Sequence, residues 1–147
     1  MSKRISDATF AALLRPLLPM GAKRRLAVAM SGGADSTSLL YLAAAWGALQ
    51  SPRWPIVAYT VDHGVRDGSA AEARGVAIPT GVEHTVLTLG ASASKPSQAA
   101  LRAGRLALLR DAAARDGCGA LLLGHHAEDQ LETVLQRLVR ASGTTGL

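Results

Sequence analysis

Short apolar runs alternate along this chain with longer stretches of helical period. LAVAM at 26–30 is apolar at every position, the pattern of a strand covered on both faces. TSLLYLAAAWGAL at 37–49 reads as a helix. After the break at Pro52 and Pro55, IVAYTV at 56–61 reads as a second strand and HTVLTL at 84–89 as a third. SASKPS at 92–97 is a loop, and QAALRAGRLALLRDAAARDG at 98–117 is a helix that ends at Gly117. ALLLG at 120–124 is a fourth strand. AEDQLETVLQRLVRA at 127–141 is a last helix, with Leu131, Val134, Leu135 and Leu138 at i, i+3, i+4 and i+7. Residues 1–25 read as an amphipathic first helix and a lead-in, and no internal repeat is visible.

Strands that alternate with helices predict a parallel sheet with helices on both faces, an α/β fold of Rossmann-like type. In such sheets a ligand sits beyond the carboxyl ends of the strands, where the strand order reverses. The first, second and fourth runs each lead directly into an unusual motif at that end.

Composition narrows the setting. The chain has 147 residues, the size of one domain, and 48% of them are hydrophobic, enough to bury a core. Aromatic residues are 3%, so the core is aliphatic. Net charge is +5. Lysine occurs only at 3, 23 and 95, and every other basic residue is arginine, whose planar fork suits phosphate and nucleic acid. A compositional bias toward Arg and Ala explains the same excess equally well. Cys118 is the single cysteine, which excludes an internal disulfide and a Cys-x-x-Cys site and fits a reducing compartment. Asp7, Arg15 and Pro16 interrupt the apolar N-terminus, so it does not read as a signal peptide. No stretch reaches about 18 uninterrupted apolar residues, so no membrane span is expected.

The first motif is Ser31-Gly32-Gly33-Ala34-Asp35-Ser36, set between a buried strand and a helix start. Glycines let N–H groups approach a ligand closely, and a helix N-terminus favours an anion such as phosphate. Ser31, Ser36 and Thr37 add hydroxyls. The same residues also make an ordinary turn and helix cap. A Walker loop is excluded because no lysine lies between 23 and 95, and a Gly-x-Gly-x-x-Gly fingerprint is absent here. A carboxylate beside phosphates repels them unless a cation intervenes, so Asp35 implies Mg²⁺ or a cationic substrate.

Three further motifs follow: VDHGVRDGSAAEA at 61–73, QAALRAGRLALL at 98–109 and LGHHAEDQLETVLQRLVRASGTTGL at 123–147. His125 and His126 follow the fourth strand. Asp129 and Glu132 are three apart and share a helix face opposite Leu131, Val134 and Leu138, the geometry of a solvated face as much as of a site. Two histidines and two acids also suit Zn²⁺, but the open strand end beside a phosphate loop favours nucleotide chemistry. Arg102 and Arg105 are one helical turn apart and can clamp phosphate or RNA.

SGGADS resembles the SGGxDS pyrophosphate loop of the N-type ATP pyrophosphatases (PP-loop proteins), which transfer AMP from ATP to a carbonyl oxygen. The four motifs in this order are similar to the pattern of the tRNA(Ile)-lysidine synthetase family, from Leu26 to Leu147. That resemblance implies an adenine nucleotide alpha-hydrolase-like fold spanning 1–147. It implies a cytoplasmic ligase that joins L-lysine to the wobble cytidine of isoleucine tRNA with a CAU anticodon. ATP and Mg²⁺ would bind on Ser31–Ser36, with Asp35 as the metal contact. Asp35, Asp129 and Glu132 would hold the lysine ammonium. His125 and Arg105 would flank the α-phosphate or the reacting carbonyl. Arg140 and the loop 141–146 would contact ATP or the anticodon loop, and Asp62, His63 and Arg66 would line the neighbouring strand end.

The chain departs from that pattern at Ala141, where the family carries Gly, and at Leu106, where it carries Tyr. The stretch 72–81 is shorter than the family's. The family adds a fifth strand and tRNA-gripping domains after the position of Leu147, so the chain reads as the N-terminal catalytic part of a longer enzyme. Two alternatives stay open: another PP-loop ATP pyrophosphatase (a tRNA thiolase or an amide synthetase), and an ATP-binding module without chemistry. A thiolase of the iron–sulfur type needs Cys-x-x-Cys, which this chain lacks.

Overall fold

Three of the apolar runs become strands buried on both faces, and the third in sequence becomes a half-exposed one. In the computed structural model, which describes residues 5–18, 21, 23–31, 33–62, 78–90 and 97–124, β1 is Leu26–Ala29, β2 is Ile56–Asp62, β3 is Glu83–Thr88 and β4 is Ala120–Leu123. All pairings are parallel and the order is β3-β2-β1-β4. Leu26 faces Ile56 on one side and Ala120 on the other, which fixes the register of β2, β1 and β4.

The helices are α1 (Asp7–Leu14), followed by a 3-10 turn at Arg15–Leu17, then α2 (Ala34–Leu49) and α3 (Gln98–Arg115). Side chains alternate across a strand, so each strand feeds two cores. Leu26, Val28 and Met30 face α1 and α2, where Phe10, Leu14, Leu40 and Trp46 cover them. Ala27, Ala29, Val57 and Tyr59 face α3, which contributes Leu109, Ala112 and Ala113. Helices therefore lie on both faces, as the alternation predicts.

Local chemistry sets the helix ends. Ser6 and Ser97 cap α1 and α3 by accepting the N–H of Thr9 and of Ala100, each at 3.1 Å. α3 stops because Gly117 adopts φ +72°, while Gly117 N–H donates to Ala114 O and Cys118 N–H to Ala113 O, a Schellman ending. At the end of α2 a Cβ on Gly47 would stand 2.4 Å from the carbonyl oxygen of Trp54, so only glycine fits where the helix crosses the lead into β2. Trp46 and Trp54 stack edge to face at that corner, with centroids 5.2 Å apart.

The differences from the sequence reading are small and physical. α2 begins at Ala34 rather than 37, because Gly33 is the cap and Ala-Asp-Ser fills the first turn. β1 closes at Ala29, β2 gains Asp62, and β3 runs 83–88 rather than 84–89. β4 closes at Leu123 and α3 at Arg115, with Asp116 and Gly117 forming its cap. Glu83, Thr85 and Thr88 are exposed on β3, whereas every residue of β4 is buried. The helix expected at 127–141 lies outside the described residues.

Candidate functional site

The chain runs β1, β2, β3 outward in one direction, and β4 then returns to the opposite side of β1. The strand order therefore reverses between β1 and β4, and the chain leaves both strands at the carboxyl edge of the sheet. A Cβ on Gly124, the residue after β4, would stand 3.0 Å from both N and Cα of Ser36. This contact joins the end of β4 to the first turn of α2 and needs glycine because backbone meets backbone.

The loop after β1 is held by its own hydroxyls. Gly33 N–H donates to Ser31 Oγ at 3.2 Å, and Ser36 Oγ donates to Gly33 O at 3.2 Å. Ser31 Oγ and Ser36 Oγ lie 3.0 Å apart. One proton per hydroxyl then closes a ring: Ser31 donates to Ser36, and Ser36 to Gly33. Ser36 Oγ also accepts Ser31 N–H at 3.1 Å, and Thr37 Oγ1 donates to Gly33 O at 2.8 Å. Ser36 is 2% exposed, so its hydroxyl shapes the loop from beneath. Ser31, Gly33, Ala34 and Asp35 are exposed above it. No side chain caps the N-terminus of α2, and its dipole is directed at this loop. Gly32 lies outside the described residues.

α3 brings the arginines to the same edge. A helix that joins parallel strands runs antiparallel to them, so its first turns lie at the carboxyl edge. Arg102, Arg105, Leu109 and Ala112 follow a spacing of three and four, one stripe of the helix. The stripe is apolar where it crosses the sheet and becomes guanidinium where it nears the carboxyl edge. Gly104 packs there against Leu89, 3.3 Å from where its Cβ would be. Arg105 is half-buried and has no anionic partner among the described residues. Burial, and then the charge of Arg102, push its guanidinium below the ordinary value. An unpaired cation held under repulsion is an arrangement that an incoming anion relieves.

Asp62, at the end of β2, is buried, and its carbonyl accepts Leu89 N–H at 2.9 Å. Thr60 Oγ1 lies 2.8 Å from His84 Nε2 on the neighbouring strand. Among the described residues no three His, Cys, Asp or Glu side chains group as a metal site. His63, Arg66, His125, His126, Asp129, Glu132 and Arg140 lie outside the described residues. The structure thus brings Ser31, Gly33, Ala34, Asp35 and Ser36 together, and α3 carries Arg105 to the same edge.

Sequence reasoning missed the opposite edge. Arg25 pairs with Glu83 and donates from Nη1 to Asp116 O at 3.1 Å. Tyr59 bonds the Asp116 carboxylate and Ala112 O, the latter at 3.2 Å. Burial pushes the neighbouring Cys118 thiol up. No local signal marks these contacts, which join residues more than fifty positions apart. Gly124 was also missed as a contact residue; its place just before His125-His126 is the only sequence hint.

The PP-loop domain matches residues 3–147. The chain belongs to that family. The PP-loop match covers the loop after β1 and both arginines, and makes this an ATP-binding domain. The chain is also 45% identical over 127 residues to the tRNA(Ile)-lysidine synthase of Zymomonas mobilis, covering 84% of this chain and 37% of that protein. It is 43% identical over 150 residues to the enzyme of that name from Methylobacterium sp. strain 4-46, covering 90% and 42%. The corresponding protein of Hyphomonas neptunium is 43% identical over 144 residues, covering 96% and 38%. This PP-loop chain therefore spans about two fifths of the length of the curated relatives it matches. No helix among the described residues is long and apolar enough to cross a membrane.

Proposed function

We propose that residues 1–147 form the PP-loop catalytic domain of a tRNA(Ile)-lysidine synthase, with 1–25 as its lead-in. The observation that carries this reading is the strand reversal that packs Gly124 against Ser36. It puts the serine loop beside the point where the chain enters His125-His126-Ala127-Glu128-Asp129. The names of the relatives supply the substrate class.

ATP seats its phosphates on Ser31–Ser36 at the start of α2, where N–H groups and the helix dipole complement negative charge. Arg105 approaches from α3 and neutralises charge as the α-phosphorus is attacked. The C2 carbonyl oxygen of the wobble cytidine forms the new bond to that phosphorus, and pyrophosphate leaves. The lysine ε-amine then attacks C2, and the C2–O bond breaks to release AMP. The amine must lose its proton to attack, and His125 or a carboxylate accepts it. Asp35, Asp129 and Glu132 hold the ammonium before that step. Asp35 is exposed on the Ser31–Ser36 loop, where it would hold a Mg²⁺ that neutralises phosphate charge.

The test is lysine transfer. The protein is incubated with ATP, Mg²⁺, radiolabelled lysine and CAU-anticodon isoleucine tRNA, and label in RNA is counted beside AMP and pyrophosphate. Incorporation that needs both ATP and this tRNA is expected, from the chain alone or with the remainder of a relative supplied. Absence of label in both forms, with ATP still bound, would sink the reading. Asp129→Asn is expected to raise the Michaelis constant for lysine and to leave ATP binding unchanged.

A further inference from the structure

Two polar tethers hold α3 to the sheet, and both act on its last turn. Tyr59, fully buried in the middle of β2, bonds the Asp116 carboxylate and Ala112 O. Arg25, just before β1, donates to Asp116 O. The rest of the described contact is apolar: Leu109, Ala112 and Ala113, with Leu106 and Leu108 partly buried beside them. Apolar burial is non-directional, whereas a hydrogen bond is directional and fixes the axial position more sharply. Burial and the Asp116 carboxylate push the phenol well above its ordinary value, so it stays protonated and remains a donor. A helix is stiff along its axis, and Arg105 lies about 10 Å from Ala112 at a rise of about 1.5 Å per residue.

We propose that Tyr59 and Asp116 are positioning residues for Arg105: they set how far α3 extends past the carboxyl edge, and so where the guanidinium meets the ATP phosphates. This rests on the assignment of Arg105 to phosphate made above. An error of about 1 Å at a reacting group can cost about a hundredfold in rate, so a tether one helix-length away governs the chemistry without touching it.

The test is a double-mutant cycle on ATP affinity and melting temperature, using Tyr59→Phe, Arg105→Ala and the pair. Tyr59→Phe keeps the ring in its core and removes only the hydroxyl. It is expected to weaken ATP binding about five- to tenfold when Arg105 is present and not at all in the Arg105→Ala background, the signature of coupled sites. The melting temperature is expected to fall equally in both backgrounds. An equal loss of affinity in both, or no loss in either, overturns the proposal. If Arg105→Ala alone leaves ATP affinity unchanged, the phosphate assignment itself falls and takes the tether with it. Asp116→Ala, which removes the acceptor of the same tether from the helix side, repeats the cycle should Tyr59→Phe not fold.

Discussion

The two edges of the sheet are built from similar residues to opposite ends. At the amino edge Arg25, Glu83, Asp116 and Tyr59 bond one another, with only the Arg25 Nε left over, and a buried glycine crosses a carbonyl without space to spare. At the carboxyl edge Arg105 is half-buried, repelled by Arg102 and without an anion among the described residues. α2, which starts at this edge, has no side-chain cap among the described residues. A closed set of partners stabilises a fold, and an open set is what a ligand completes. Substitutions at the first edge should therefore move stability, with Tyr59 and Asp116 reaching function only through the placement of Arg105, and those at the second should move function.

The largest expected effect is at the open edge. Arg105→Ala should lower ATP-dependent pyrophosphate release about a hundredfold, the scale of losing one charge-stabilising donor. Its melting temperature should stay within about 1 °C, because the group removed is strained by like charge rather than paired. A large fall in melting temperature would break the contrast. Gly47→Ala should do the reverse. Its Cβ would meet the Trp54 carbonyl, so urea unfolding should show a loss of about 2–3 kcal/mol, with ATP affinity intact in the fraction that folds. Gly124→Ala lies between the two. The new Cβ would push Ser36 backbone, and both readouts should move: about tenfold in ATP affinity and about 1–2 kcal/mol in stability.

The smallest effect is one of pH and sits between the edges. Burial holds His84 below its ordinary 6.5. Between the folded and unfolded values the unfolded chain binds more protons, so stability falls as pH drops from 7 toward 5. His84→Gln should flatten that part of the curve relative to the native protein, measured by thermal melts across the pH range. An identical slope in the two proteins would mean that His84 is not the group responsible.

What the sequence disclosed depended on how local the cause was. β1 and β4 were legible because strands covered on both faces are apolar at every position. β3 was legible because its residues are rich in threonine and branched or aliphatic side chains, though only Leu87 of them is buried. The start of α2 was read three residues late, because Asp35 and Ser36 are poor in a helix interior yet favoured in a first turn. The phosphate loop was visible in its residue types. Its hydroxyl ring was not, because the ring depends on χ1 choices that only the fold makes. Arg105 was named from the motif, but that no described acid pairs with it could be read only from the fold. The Tyr59–Asp116 contact spans 57 positions and leaves no periodic trace. Gly124 passed as an ordinary strand end, since its contact with Ser36 exists only once β4 lies beside β1.

The closed ring of Ser31, Gly33 and Ser36 has a thermodynamic corollary. A loop already fixed by its own hydrogen bonds loses little conformational freedom when a nucleotide arrives, so most of the interaction energy is retained as affinity. Calorimetry of nucleotide binding should then show only a small ordering contribution to the heat-capacity change, close to that of burying the ligand's own apolar surface.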